Sequence, residues 1–223
     1  MMPHQKSKKI FIYFFLFVII GTLNNKDLKN FNFGKIEIIN VSGLGKKNDL
    51  QLKKDLNFLK QDNIFFLDKS EISKKLINNQ LVEKYSVFKK YPSTLNITVN
   101  KTIFLAKIKK GSEIFFLGSN GELIKSDEIR KDLPYIFGNF KFKSFFYLLD
   151  IIEKTNFDYD KIKNLFYFKS GRWDIETKDG LLIKLPQNEL EKSLSFLIDF
   201  INQNKDKPIK RIDLRQKNQI IIN

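Results

Sequence analysis

The chain has no cysteine among its 223 residues, so no disulfide, thiolate metal site or cysteine nucleophile can be built from it. Stability must come from packing. Histidine is almost as scarce: His4, the only one, lies in the amino-terminal tail. That withholds a His-based triad, a His metal site and a His general base from the rest of the chain. No catalytic residue, metal site or cofactor is expected. A phosphate loop is missing too, since Gly43-Leu44-Gly45-Lys46-Lys47 lacks the Walker spacing and the Ser or Thr after Lys, and reads as a tight turn. Paired carboxylates occur at Asp127 and Glu128 and at Asp158 and Asp160. Nothing in the sequence desolvates them or sets them beside an aromatic substrate groove, so they read as surface or turn residues.

Long apolar runs are limited to one, Ile10 to Leu23, preceded by a tail carrying Lys6, Lys8 and Lys9. The run is shorter than the ~20 residues of an ordinary bilayer span, and a basic tail before a short apolar core is also the layout of a secretory signal. Gly21-Thr22-Leu23-Asn24-Asn25 offers no small-x-small cleavage site, which favours a retained anchor over residues 10–25. Lys26, Lys29 and Lys35 beyond it nearly match the lysines before it, so charge does not set its orientation. The net charge of +15 comes from lysines spread along the whole chain, without a block of five or six like charges. A solvated surface weakly drawn to membranes is expected, not a nucleic-acid partner.

After the anchor the pattern reads strand, helix, helix, strand, strand. Lys35 to Val41 alternates as a strand, and Val41-Ser42-Gly43 turns out of it. Asn48 is positioned to cap a helix that carries Leu52, Leu56 and Leu59 on one face. Asp68 and Glu71 have the spacing of a capping box, opening a helix that buries Ile72 and Leu76. Tyr85 to Tyr91 and Leu95 to Val99 form a hairpin turned by Pro92-Ser93. The remainder, from about Ile103, is strand-rich with two helices. Asn120-Gly121 and Asp179-Gly180 mark hairpins, and Phe142 to Thr155 and Glu189 to Asn202 have helical apolar spacing. Trp173 reads as a core anchor, and Asp213 with Arg215, two apart on one strand face, as a structural ion pair. The final strands are Ile209 to Arg215 and Gln219 to Ile222. The last carries neither proline nor charge to blunt it, although Lys217 lies just before, so it is expected to be an open edge to which a partner adds a strand.

An anchor, a β-α-α-β-β module and a strand-rich domain follow in this order. Along them lie Val41-Ser42-Gly43, Lys89-Lys90-Tyr91-Pro92 leading into Leu95-Asn96-Ile97-Thr98-Val99, and Leu133-Pro134-Tyr135-Ile136-Phe137-Gly138. Gly171-Arg172-Trp173-Asp174, Gly180 with Leu185-Pro186, and Ile212-Asp213-Leu214-Arg215 follow. In this order and spacing they resemble the bacterial cell-division family FtsQ/DivIB. Where the family usually has Glu-Arg-x-Pro-x-Ala, this chain has Lys101-Thr102-Ile103-Phe104-Leu105-Ala106 and keeps only the Ala.

The resemblance implies an α+β body: a cytoplasmic tail (1–9), a transmembrane helix (10–25), a POTRA module (33–101) and a β domain (102–223). Gly43, Tyr91, Pro92, Arg172, Trp173 and Asp213 are its structural motif residues. It further implies a non-enzymatic inner-membrane scaffold of the divisome, with its body in the periplasm and FtsB and FtsL as partners. They would meet the terminal edge and the preceding helix, with Arg215, Gln216, Gln219, Ile220, Ile221 and Ile222 as the partner-binding residues. Other divisome membrane proteins are expected partners; nucleic acid and small-molecule substrates are not. The rivals are a POTRA-type transport component, disfavoured because no membrane barrel follows, and a cell-wall hydrolase released by signal cleavage.

Overall fold

In the computed structural model, which describes residues 4–23, 34–126, 132–204, 208–217 and 219–223, helix α1 spans His4–Leu23. From Lys8 to Gly21 every residue is exposed. Among the described residues no helix is long and apolar enough to cross a membrane. Three lysines occupy the first turns of α1, and the apolar remainder, fourteen residues from Ile10 to Leu23, extends only about 21 Å. The end of the expected span, Asn24-Asn25, and the pair Asp127 and Glu128 lie outside the described residues.

The body divides into two units, one of Met1–Leu76 with Tyr85–Val99 and one of Ile77–Lys84 with Asn100–Asn223. In the first, β1 (Ile38–Ser42) leads to α2 (Lys46–Asp55), a 3-10 turn (Asn57–Gln61), α3 (Lys69–Ile77), β2 (Val82–Lys90) and β3 (Thr94–Lys101). The sheet order is β1-β3-β2, with β1 parallel to β3. This is the expected β-α-α-β-β arrangement. The apolar positions chosen by periodicity are the buried ones: Leu52, Leu56 and Leu59 from the first helical segment, Ile72 and Leu76 from α3, and Leu95, Ile97 and Val99 from β3.

Gly43 is fixed by two constraints. Its φ is +121°, and a Cβ would stand 1.7 Å from the Val99 carbonyl oxygen. Only glycine lets the turn out of β1 pass that close to β3.

Of the two expected caps, one is corrected and one is found. Gly45, not Asn48, caps α2; Asn48 lies within the helix, and the amide of Leu44 instead donates to Asp49 Oδ1 at 2.8 Å. The glycine, at φ +91°, starts the helix before Asn48 is reached. At α3, Asp68 caps the helix as expected, accepting from the Ser70 amide (2.8 Å) and also from the Ser70 hydroxyl (2.6 Å). Those bonds hold the Asp68 carboxyl below its ordinary range.

In the second unit a nine-stranded sheet has the order β12-β11-β10-β9-β8-β7-β4-β5-β6. Its strands are β4 (Phe104–Lys110), β5 (Glu113–Gly118), β6 (Leu123–Ile124), β7 (Tyr135–Phe137), β8 (Ile162–Tyr167), β9 (Trp173–Thr177), β10 (Leu182–Lys184), β11 (Arg211–Asp213) and β12 (Ile221–Ile222). The parallel neighbours β7/β8 and β10/β11 require crossovers. Helices α4 (Phe142–Lys154) and α5 (Leu190–Gln203) supply them. Phe145, Leu148, Ile151 and Ile152 of α4 and Leu190, Leu194 and Leu197 of α5 enter one core with Trp173, Ile175, Ile183 and Ile212.

Trp173 is 1% exposed, is ringed by Phe140, Phe145 and Tyr167, and donates its indole N–H to Ser144 Oγ at 3.1 Å. Both its apolar body and its polar tip are thereby satisfied.

Residues 77–84, which lie within the segment 33–101, group with the second unit. Leu81 packs against Phe104, Phe116 and Ile124. The Asn120 side-chain amide donates to the Gln80 and Val82 carbonyls at 2.9 and 3.1 Å, and the Thr102 amide to Leu81 O at 2.9 Å. The altered stretch Thr102 to Ala106 thus remains structural, with Thr102, Phe104 and Ala106 all buried.

Candidate partner-binding edge and groove

The last strand, β12, lies at the margin of the nine-stranded sheet and pairs antiparallel with β11, Ile212 opposite Ile222 and Asp213 opposite Ile221. Asn223 exchanges hydrogen bonds with Arg211, amide to carbonyl at 3.2 Å one way and 3.3 Å the other. In an antiparallel ladder hydrogen-bonded and non-hydrogen-bonded pairs alternate. Arg211–Asn223 belongs to the first kind, so Ile212–Ile222 belongs to the second, and the N–H and C=O of Ile222 point away from β11 toward the open margin. That outward pair is what an added strand would bond.

Ile220 packs against the main core, whereas Ile221 and Ile222 are 50% and 46% exposed. Residues 219 and 220 precede the regular strand, and Ile220, two residues before Ile222, faces the core on the side that Ile222 shares with Ile212. Ile222 shares its side of the sheet with buried Ile212, and Ile221 shares its side with Asp213, by the register of the pair. The edge thus offers one apolar side chain to each face.

Beside this edge, the first turns of α5, residues 214–217 and Gln219 line a groove of about 760 Å³. Leu214, buried at 4%, and Phe196, exposed at 47%, are apolar positions in its lining. Gln187, Ser193, Gln216 and Gln219 line it with polar groups, and Glu189 faces Lys217 across 3.8 Å. Phe196 escaped the sequence reading because the periodicity of α5 selects Leu190, Leu194 and Leu197 as the buried face. A phenylalanine off that face is the signal that marks it.

Arg215 lines the groove and is held by Asp213: its Nε donates to Oδ1 at 2.8 Å and to Oδ2 at 3.0 Å, and Nη2 donates to Oδ2 at 2.5 Å. The Arg215 amide also donates to Asp213 Oδ1 at 3.1 Å. The Arg215 side-chain bonds hold the Asp213 carboxyl below its ordinary range, with the backbone bond and the charges of Arg215 and Lys184 acting the same way against desolvation. The expected pair is thus a chelate that fixes a guanidinium at the groove mouth.

Asp174 behaves oppositely. Burial pushes its carboxyl up, opposed by Arg172, whose guanidinium is 3.4 Å away and stacks 4.0 Å over the Phe168 ring. Asp174 opposes Lys184, and Lys184 opposes Asp213, across neighbouring strands. Arg172 and Asp213 therefore belong to one charged row on the sheet face away from the helices.

Gly43, Tyr91 and Pro92 lie in the first unit, remote in sequence from this edge, and their roles there are local. Among the described residues no group of three or more His, Cys, Asp or Glu side chains is placed to hold a metal ion.

Residues 34–101 match the family description "POTRA domain, FtsQ-type", and residues 106–215 match "Cell division protein FtsQ/DivIB, C-terminal". The chain belongs to the FtsQ/DivIB family. As a member of FtsQ/DivIB it is a cell division protein. It is 28% identical over 192 residues to the cell division protein FtsQ of Rickettsia bellii, covering 84% of this chain and 72% of that one. It is 26% identical over 194 residues to the FtsQ of Rickettsia typhi, with the same coverage. Against the FtsQ of Rhizobium meliloti it is 21% identical over 191 residues, covering 84% of this chain and 62% of that one. The solved extracytoplasmic domain of the cell division protein DivIB from Geobacillus stearothermophilus covers 48% of this chain and 96% of its own, at 14% identity and a TM-score of 0.34. The C-terminal family match ends at Arg215, so the edge strand β12 lies just beyond it.

Proposed function

We propose that this chain is a non-enzymatic, membrane-anchored scaffold of the divisome whose body lies in the periplasm and holds FtsB and FtsL at the β12 edge. One observation carries the proposal: the C-terminal strand is the sheet margin, with the backbone of Ile222 aimed outward beside a groove and a fixed guanidinium. An extended peptide adding there gains main-chain hydrogen bonds from Ile222, apolar contact with Ile221 and Ile222, and a charged anchor at Arg215. A helical continuation of the same partner fits the groove lined by Phe196 and Leu214.

The anchor is the apolar run of α1, exposed all round from Ile10 to Ile20. A helix without a polar face is stable in lipid; snorkelling of Lys8 and Lys9 and local bilayer thinning offset its shortness. Confinement to the membrane raises the effective concentration of partners in the same plane, so modest interfaces suffice to assemble a complex.

The test is titration of the full chain in nanodiscs with the periplasmic segments of its cognate FtsB and FtsL, beside a chain ending at Arg215. Loss of binding with unchanged circular dichroism supports the edge. Equal binding by both removes the edge from the interface, and no binding by either ends the scaffold reading.

A further inference from the structure

We propose that the tether end of the first unit rests on the bilayer, presenting Phe65, Phe66 and Tyr91 to an anionic lipid surface. This rests on the anchor reading above and assigns the module a second, reversible membrane contact.

The geometry starts at Gly34, the first described residue after the linker. Gly34 O accepts from the Ile64 amide at 2.6 Å, and Ile36 N donates to Asp62 O at 3.1 Å. Lys35 bridges to Asn63. The arriving chain is therefore clamped to residues 62–64. The Phe65 ring lies over Gly34, where a Cβ would stand 2.5 Å from it, and stacks on Tyr91 at 4.9 Å.

Phe66, the next residue, is held in a turn in which its amide bonds Asn63 O at 3.1 Å while the Phe65 amide bonds Asn63 Oδ1 at 2.9 Å. It is 88% exposed, Tyr91 56% and Phe65 42%. Single exposed aromatics are ordinary; three at one end form a patch that marks a contact.

Two features select lipid as the occupant. The first is reach. Ten linker residues, 24–33, join α1 to Gly34, spanning at most about 40 Å when fully extended. The patch thus surrounds the point of the module with the shortest tether to the apolar run, where the effective concentration of membrane is highest. The second is composition. Residues 34–37, 60–69 and 89–93 hold five lysines (Lys35, Lys60, Lys69, Lys89, Lys90) against three carboxylates (Glu37, Asp62, Asp68). Aromatic rings settle at the headgroup level, and lysines around them favour anionic lipid.

The absence of cysteine makes the test clean, because one introduced cysteine carries one spin label. The full chain is reconstituted into phosphatidylethanolamine vesicles containing phosphatidylglycerol and labelled at Phe66→Cys, Phe15→Cys or Lys47→Cys. Lys47 lies in the first turn of α2, at the far end of β1 from Gly34. Relaxation by oxygen is compared with relaxation by a water-soluble nickel chelate. The expected result is oxygen dominance at residues 15 and 66 and chelate dominance at 47, with the signal at 66 shifting toward water when phosphatidylglycerol is omitted. Label 15 in lipid with label 66 in water overturns this inference and leaves the anchor standing. Labels 15 and 66 both in water overturn both. Shielding of label 66 from both reagents means contact with a second copy of the chain and overturns it as well.

Discussion

Replacing Ile222 with proline separates the outward face of β12 from its inward face. The Ile222 N–H does not enter the β11 ladder, whose bonds fall at Arg211–Asn223 and Asp213–Ile221. Ile222→Pro therefore removes a donor that only an added strand would use, and seats a ring at the margin where that strand must approach. One lost strand-pairing bond costs about 0.5–1.5 kcal/mol, a weakening of roughly two- to twelvefold, and loss of the neighbouring bond by obstruction carries it beyond about tenfold.

The paired variant, Ile221→Pro, cuts the ladder itself and should destabilise the second unit as well as weaken binding. Calorimetric titration of the full chain in nanodiscs with the FtsB and FtsL segments reads affinity, and urea unfolding reads stability. The expected pattern is that Ile222→Pro loses affinity with an unchanged midpoint, while Ile221→Pro loses both. Wild-type affinity in a folded Ile222→Pro chain would refute strand addition at this margin.

Gly43→Ala should destabilise the first unit by roughly 2–4 kcal/mol, because its positive φ and the Val99 carbonyl leave no room for a methyl; urea unfolding checks it. Trp173→Ala should cost about 3–5 kcal/mol in the second unit, whereas Trp173→Phe keeps most of the packing and loses the Ser144 bond, so its unfolding midpoint should fall between that of Ala and the wild type. Two carboxylates give opposite pH dependences. Asp213 is lowered on folding, so its contribution is present above the ordinary carboxylate value of about 4 and disappears as pH falls through its folded value. Asp174 is raised, so folding favours its protonated form and stability declines as pH rises from about 4 through that raised value. In urea midpoints measured across the acid range, Asp213→Asn should flatten the loss at low pH, and Asp174→Asn should remove the decline on the other side.

Much of the fold is legible in the sequence because the apolar spacing is regular. Leu52, Ile72, Leu95, Leu148 and Leu194 each fall on a helical or strand period, and each is buried. Local polar competition is less legible: Gly45 overrides Asn48 as a cap, and the Ser70 hydroxyl adds a bond to Asp68 that the spacing of Asp68 and Glu71 does not reveal. Strands β4 and β7 carry weak local signals. Lysines interrupt β4, and β7 has only three residues. Their pairing is parallel and non-local, Lys107 to Tyr135 and Tyr135 to Asn164, so it depends on partners that no window contains.

The candidate site divides in the same way. A terminal strand without proline or charge was readable as an edge, because blunting devices are residue types. The groove was not, because it arises from the side of α5 opposite its apolar stripe meeting residues 214–217 and Gln219. The Asp213–Arg215 pair was readable from two-residue spacing on a strand, but its multidentate geometry required the backbone turn after β11.

Amide hydrogen exchange on the full chain, with and without the FtsB and FtsL segments, tests the central claim most directly. The account predicts that the Ile222 amide, aimed at the open margin, gains strong protection on partner addition, while the Asn223 amide, already bonded to Arg211 O at 3.2 Å, changes little. A bound complex in which Ile222 exchanges as fast as in the free chain would contradict strand addition at β12.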